Sequence, residues 1–347
     1  MKTLSRLVIY LLITIFSLAA SAQKFTWEID FKSVFDNREG DNDYTPTETY
    51  FLAQLAPEVG LKFGSRNRIA GGAVWNQPIG KEWRDAKVSP TLYFRHEAPR
   101  WAFSMGMFPR KQLHEELPNF LWNDSLSYYQ RNIRGALVQY YKGKSFVDLY
   151  LDWRQMQTTK GREAFNIVLH GQWQPGKSPF FFGGHAMMNH YALTKNSGPD
   201  QHIVDNFVIN PYAGADFSHK IVLDSLRVRT GMLMTIERNR ANGYWTHPMG
   251  FWIDVRAEWR WLGLYNSFYT GQRQQPSRVP FWQPTTIVPS QLYQGEPYYG
   301  ASLYNRTDLY ARIIRSRYVH LTASLDFNVT RTTFTFYQKL TLTLHLP

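Results

Sequence analysis

The 347 residues contain no cysteine, so no disulfide can staple the chain and no lipid anchor can form on an N-terminal cysteine. Acidic residues are in deficit, with 27 Asp and Glu against 39 Lys and Arg and a formal charge of +12, which draws the chain toward anionic lipid head groups and anionic solutes. The positive charge is dispersed and interleaved with carboxylates, which argues against nucleic acid as a partner. A hydrophobic run long enough to cross a membrane as a helix is also lacking. The apolar stretch Leu7 to Leu18 has about 12 residues, where a spanning helix needs about 20. Lys2 and Arg6 precede it and Ala20-Ser21-Ala22 follows it, the arrangement of a secretory signal. Residues 1–22 are therefore expected to be a signal peptide, and 23–347 a single mature domain.

Helical periodicity is scarce as well, and period-2 alternation takes its place. Phe25, Trp27, Ile29 and Phe31 alternate with Thr26, Glu28, Asp30 and Lys32, the pattern of a strand apolar on one face and charged on the other. The same alternation recurs along the chain, for example at Val147, Leu149 and Leu151, at Phe251, Ile253 and Val255, and at Leu340, Leu342 and Leu344. About sixteen such strands are joined alternately by short turns and longer loops, and the chain shows no repeat of fixed period. A secreted sandwich or propeller would share the alternation but not the long-short rhythm. The expected fold is an all-β, transmembrane, antiparallel up-and-down barrel with both termini periplasmic, set in the outer membrane of a Gram-negative bacterium. Trp27, Trp75, Trp101, Trp153, Trp173, Tyr212, Trp259 and Trp261 fit its interfacial girdles.

With the apolar set facing lipid, the charged set faces the lumen. Arg227, Arg229, Asp254, Arg256, Glu258 and Arg260 are expected on the lumen wall, either as a cluster of guanidiniums that attracts anions or as a salt-bridge ladder. At sixteen strands side chains alone do not fill a lumen, which is then water-filled unless loops obstruct it.

Two connections are anomalously long. Gly271 to Thr307 holds five prolines, and the other lies between strands starting near Trp101 and ending near Tyr141. The latter carries Arg110, Lys111, His114, Glu115, Glu116 and Asp124 among aromatics and is the third long connection. By topology alone it is expected to fold inward, placing Arg110, Lys111, His114, Glu115 and Glu116 at a pore constriction that faces the wall arginines.

Three segments, Gly106-Met107-Phe108-Pro109-Arg110-Lys111, Asp124 to Tyr129 and Tyr304 to Tyr310, resemble an uncharacterised family of Bacteroidetes outer-membrane β-barrel proteins. The resemblance implies an outer-membrane, porin-like barrel, and brings no substrate or catalytic residue with it. Many such barrels end in an aromatic residue, whereas this chain ends Leu344-His345-Leu346-Pro347.

Catalytic and metal motifs are missing from the sequence. His185 and His190 are five apart and point to opposite faces of a strand, His114-Glu115-Glu116 has no second spaced histidine, and no Gly-x-Ser-x-Gly elbow or phosphate loop occurs. The expectation is a non-enzymatic channel, without cofactor or metal, for passive diffusion of small hydrophilic solutes, anion-leaning, seated among outer-membrane lipid and lipopolysaccharide. One alternative is a non-conducting barrel acting as a scaffold or receptor that meets an envelope protein through its long loops. A lesser alternative is a barrel hydrolase whose site is assembled from residues distant in sequence.

Overall fold

A computed structural model describes residues 23–40, 42–199, 201–283 and 289–347. The leader expected over 1–22 lies outside them. Sixteen long strands form one antiparallel sheet: β1 Gln23–Glu39, β2 Glu48–Phe63, β3 Asn67–Pro78, β4 Lys87–Glu97, β5 Trp101–Pro109, β6 Asn132–Lys142, β7 Ser145–Gln155, β8 Ala164–Trp173, β9 Phe180–Tyr191, β10 Val204–Asp216, β11 Ser225–Asn239, β12 Met249–Trp259, β13 Leu262–Gly271, β14 Leu303–Arg315, β15 Val319–Thr330 and β16 Phe334–Leu346. A two-residue piece, Trp245–Thr246, pairs with the end of β11. Each strand pairs with its neighbours in sequence, and β1 pairs with both β2 and β16, so the sheet closes and keeps no free edge.

The alternation read from the sequence sets the two faces. Phe25, Ile69, Leu92, Met105 and Val138 are exposed on the outside, while Gln54, Asn76, Asp148, Asn166 and Asp254 are buried inside. This inversion suits a wall whose outer solvent is hydrocarbon, because the ladder satisfies every backbone group that lipid cannot. Tight turns such as 143–144 and 260–261 mark the periplasmic rim, and the long loops mark the extracellular one. β14 begins earlier than the sequence implies, at Leu303, which shortens the last long connection to 272–302. Its first residues are polar on both faces, with Arg306 and Asp308 inward and Asn305 and Thr307 outward, so they carry no apolar alternation.

Two long loops decide what the barrel contains. Loop 3, residues 110–131, and residues 289–302 of loop 7, the connection over 272–302, both fold into the lumen. Phe120 and Leu121 of loop 3 and Tyr298 and Tyr299 of loop 7 are buried among wall residues that include Tyr93, Phe108, Tyr150, Trp252, Tyr269 and Tyr304. Phe120 meets Trp252 edge to face at 5.5 Å and Tyr299 at 5.9 Å. The buried hydroxyls are satisfied: Tyr299 OH donates to Asn119 Oδ1 at 2.7 Å, and Tyr298 OH lies 2.9 Å from Tyr337 OH. The loops also pair with each other, Asn123 N–H to Gln294 O at 2.8 Å and Glu296 N–H to Asn119 O at 2.7 Å. A Cβ on Gly295 would sit 1.9 Å from Phe120 O, so this close approach requires glycine. Loop 3 contributes one short helix, α1 Asp124–Tyr129, capped by Asn123, whose side chain accepts from Leu126 N–H at 2.8 Å.

Ion pairs fasten this plug to the wall. Arg306 lies 2.9 Å from Asp124, 2.7 Å from Asp308, 3.2 Å from Asp326 and 3.5 Å from Glu296, and Lys339 bridges Asp124 and Asp326. A cavity of about 500 Å³ opens at the extracellular mouth beside Tyr44, Glu48 and Arg278, and one of about 280 Å³ opens at the periplasmic mouth beside Glu28, Arg66 and Arg68. Around Phe120 and Tyr299, between the two, the void is about 20 Å³. That is room for about one water.

Candidate active site

The five loop residues singled out by the sequence lie inside the barrel, each against a wall partner except Glu116. Arg110 pairs with Asp152 and stacks over Trp122 at 3.7 Å. Lys111 reaches Glu28 and, at 2.8 Å, Asp30, while His114 Nδ1 is 2.6 Å from Asp148 Oδ1. Glu115 meets Arg227 at 2.7 Å and Arg229 at 3.7 Å. Glu116 sits near Lys32 without a direct ion pair between them. These contacts draw loop 3 down toward the periplasmic half.

The wall residues resolve into a ladder. Arg229 pairs with Asp254 at 3.0 Å, Arg227 faces Arg256 across the register, Arg256 lies over the Tyr265 ring at 5.0 Å, and Glu258 takes Arg312. Arg260 was expected on this face and is not there. β12 ends at Trp259, so Arg260 occupies the two-residue periplasmic turn with φ +56° and packs on Trp259. Tyr212, expected in the outer girdle, is buried inside the barrel instead. Glu28, Asp30 and His345 bring three metal-type ligand atoms within 4.8 Å of one another, but the cations of Lys111 and Arg131 already stand against these carboxylates.

A different group assembles on the outside of the barrel, at the extracellular rim. The register sets Trp153 of β7 against Phe165 of β8, Phe165 against His190 of β9, His190 against Asp205 of β10, Asp205 against Arg238 of β11 and Arg238 against Trp245. This is one row across the sheet, with aromatics at both ends and a histidine, a carboxylate and a guanidinium between them. His190 stacks on Phe165 at 4.6 Å, and Phe165 on Trp153 at 4.9 Å. Glu163, in the loop before β8, places Oε2 3.7 Å from His190 Nε2, with both side chains about 30 % exposed. The separation is longer than a formed hydrogen bond, as acid-base pairs often are before substrate tightens them. Arg162 locks the two adjoining loops by donating to Ala192 O at 2.6 Å and to His202 O. Arg240 grips Asp205 with two bonds of 2.8 Å, and those bonds hold its pKa above the ordinary arginine value. Arg238 lies over Trp245 at 5.6 Å with its Nε buried and without a partner.

The profile of the lipid A 3'-O-deacylase-type family matches residues 18–345. The chain belongs to that family. No curated protein matches it. Among solved structures it is similar to a loop-deletion form of OmpT, an outer membrane protein of Vibrio cholerae, at 8 % identity and TM-score 0.57 over 94 % of this chain and 100 % of that one. It is similar to an anion-selective porin from Comamonas acidovorans at 9 % identity and TM-score 0.55, over 93 % and 100 % of the two chains. OprB of Pseudomonas putida gives 8 % and 0.53, over 96 % of each. At such identities the likeness establishes the fold alone: a sixteen-strand closed barrel of the outer membrane.

Family membership overturns the expectation of a non-enzymatic solute channel. A lipid A 3'-O-deacylase-type family is one of hydrolases acting on lipid A, and it gives lipopolysaccharide the part of substrate rather than surroundings. The packed lumen agrees with that correction, since loops 3 and 7 fill the space a diffusing solute would need. The lesser alternative, a barrel hydrolase with residues drawn from distant parts of the chain, is the one that the family supports.

Sequence reasoning separated His185 from His190 correctly by face but stopped there. His185 is buried inside, with Nδ1 3.0 Å from Asn210 Oδ1, and His190 is outside. The missed signal was the outward set of β9 itself: a titratable residue on a face otherwise made of Phe182, Gly184, Ala186 and Met188 is out of place against lipid.

Proposed function

We propose that this protein hydrolyses an acyl ester of lipid A in the outer leaflet, with His190 as general base. Family membership carries the reading, and the rim row supplies a geometry that suits it. Lipid A is a phosphorylated sugar whose acyl chains lie in hydrocarbon and whose esters lie at the interface. A site for it belongs on the lipid-facing wall near the extracellular rim, and among the described strands His190 is the histidine with that placement. Once substrate tightens the pair, Glu163 accepts from Nε2–H, which leaves Nδ1 to take a proton from water. The water oxygen attacks the acyl carbonyl, the negative charge passes to the carbonyl oxygen, and the tetrahedral adduct expels the sugar oxygen, which receives the proton back from Nδ1. The products are a fatty acid and a free sugar hydroxyl. Arg238 in the row and Arg240 beside it offer the cations that meet phosphate. Within this reading Arg110, Lys111, His114, Glu115 and Glu116 keep the lumen filled and take no part in the chemistry.

The test is hydrolysis by purified protein in vesicles containing lipid A, followed by mass spectrometry. Loss of one acyl chain is expected, and His190→Gln should lower kcat by about 10²- to 10⁴-fold while the barrel stays folded. A wild-type rate from His190→Gln removes this residue as the base. An unchanged lipid A with the wild-type protein ends the deacylase reading.

A further inference from the structure

Beneath His190, the outer wall is not smooth. The register row two steps below the Ile167–Met188 row sets Val147, Gly171, Gly184 and Pro211 side by side on β7 to β10. Two adjacent positions in that row have no side chain, and the result is an apolar groove of about 600 Å³ on the lipid-facing surface. Leu169 and Ala186 line it above, and below it Trp173 stacks on Phe182 at 6.3 Å and 23°. Tyr212, on the inner side, fills the place a Gly183 side chain would take, which backs the wall with an aromatic ring.

We propose that this groove holds the far end of the acyl chain under attack, and that the Trp173–Phe182 stack ends it, so that the wall measures chain length. The proposal rests on the deacylase reading of His190. Continuity carries it: groove and histidine lie on the same strand and the same face, with His190 four residues above Ala186 and eight above Phe182. At about 3.3 Å per residue these separations are about 13 Å and 26 Å. An extended hydrocarbon chain advances about 1.25 Å per carbon, from bonds of about 1.5 Å at near-tetrahedral angles, so an ester held at His190 sends its chain into the groove after about 10 carbons. Shorter chains end on Met188 and gain nothing from the groove. Longer chains exchange contact with fluid lipid for a fixed seat against Leu169, Gly171 and Gly184, and the stack stops them at about 21 carbons.

Gly184 makes the idea testable without breaking the barrel. A Cβ there meets only ordinary contacts, Asn210 O at 3.4 Å and Pro211 Cα at 3.7 Å, whereas one on Gly171 would come within 2.7 Å of Phe146 O. The experiment compares Gly184→Leu with wild type on sugar esters carrying 8- and 16-carbon chains, in vesicles. The expected result is an unchanged 8-carbon rate, which also reports folding, with the 16-carbon to 8-carbon ratio of kcat/KM falling tenfold or more. A ratio within twofold of wild type overturns the groove. A second measurement does not need hydrolysis: a 16-carbon ester with a photoreactive diazirine at the chain end is cross-linked and its adducts mapped. Adducts on Leu169, Gly171 or Pro211, level with the end of a 16-carbon chain about 20 Å from His190, that disappear in Gly184→Leu support the groove even if wild type cleaves nothing, in which case the deacylase reading alone has failed. Adducts spread around the whole barrel overturn it, as does dimerisation of the chain in detergent that Gly184→Leu abolishes.

Discussion

Replacing Arg306 with Met should release the plug. Arg306 is 5 % exposed and is the nearest cation to Asp308 and Glu296, while it shares Asp124 and Asp326 with Lys339. Met preserves most of the side-chain volume and removes the charge, which leaves Asp124 and Asp326 to Lys339 and takes the direct ion pair from Asp308 and Glu296. Taking one partner from a buried ion pair costs about 3–5 kcal/mol, because the charge left behind has lost both water and its counterion. At about 1.4 kcal/mol per power of ten, the equilibrium between docked and released loop 3 shifts by about two to four orders of magnitude. Two of the four carboxylates, Asp124 and Glu296, belong to the loops, so the penalty falls on the seating of the plug more than on the β ladder. The assay pairs a thermal melt in detergent with single-barrel conductance in a planar bilayer. Wild type should be silent, and Arg306→Met should melt several degrees earlier and show opening bursts. A variant with wild-type melting and an equally silent trace would refute the view that this network holds the loops in place.

Acid should act on the same seat. Burial would raise the pKa of Asp124, but Arg306 and Lys339 outweigh it and hold the carboxyl well below its ordinary range. A carboxylate whose folded pKa lies below its unfolded one stabilises the fold fully above the unfolded value, near 4, and loses that contribution as pH falls through the folded value. The share of Asp124 in holding the plug is therefore lost only well below pH 4, and Asp124→Asn should lack that step in a conductance titration. At the rim, Arg238→Met should raise KM for lipid A about tenfold and leave kcat close to wild type, as loss of a charge-assisted phosphate contact does. A fall in kcat alone would place Arg238 at the reacting carbonyl instead.

The architecture was legible because a barrel is written in local pattern. Alternation at Phe25 to Lys32, repeated through Leu340 to Leu344, already says which face meets lipid, and the rhythm of short and long connections sets an even strand number and both rims. The pattern failed where it had nothing to alternate. Leu303 to Asp308 has polar residues on both faces, so the start of β14 stayed hidden. Arg260 kept the spacing of a wall residue while the chain had already turned.

Contents and chemistry are a different matter. Whether Phe120 and Tyr299 enter the lumen depends on partners such as Trp252 and Arg306 that lie more than a hundred residues from Phe120, and only the closed sheet brings them within reach. The rim row is likewise a product of register: Trp153, Phe165, His190, Asp205 and Arg238 are scattered through the sequence and become neighbours because antiparallel pairing sets one residue of each strand beside one of the next. The sequence by itself determined a barrel, its membrane and its two faces, since these follow from side-chain alternation along one strand. What fills the barrel and which residues meet on its outer rim were decided by tertiary structure, since both depend on distances between strands that no single stretch of chain contains.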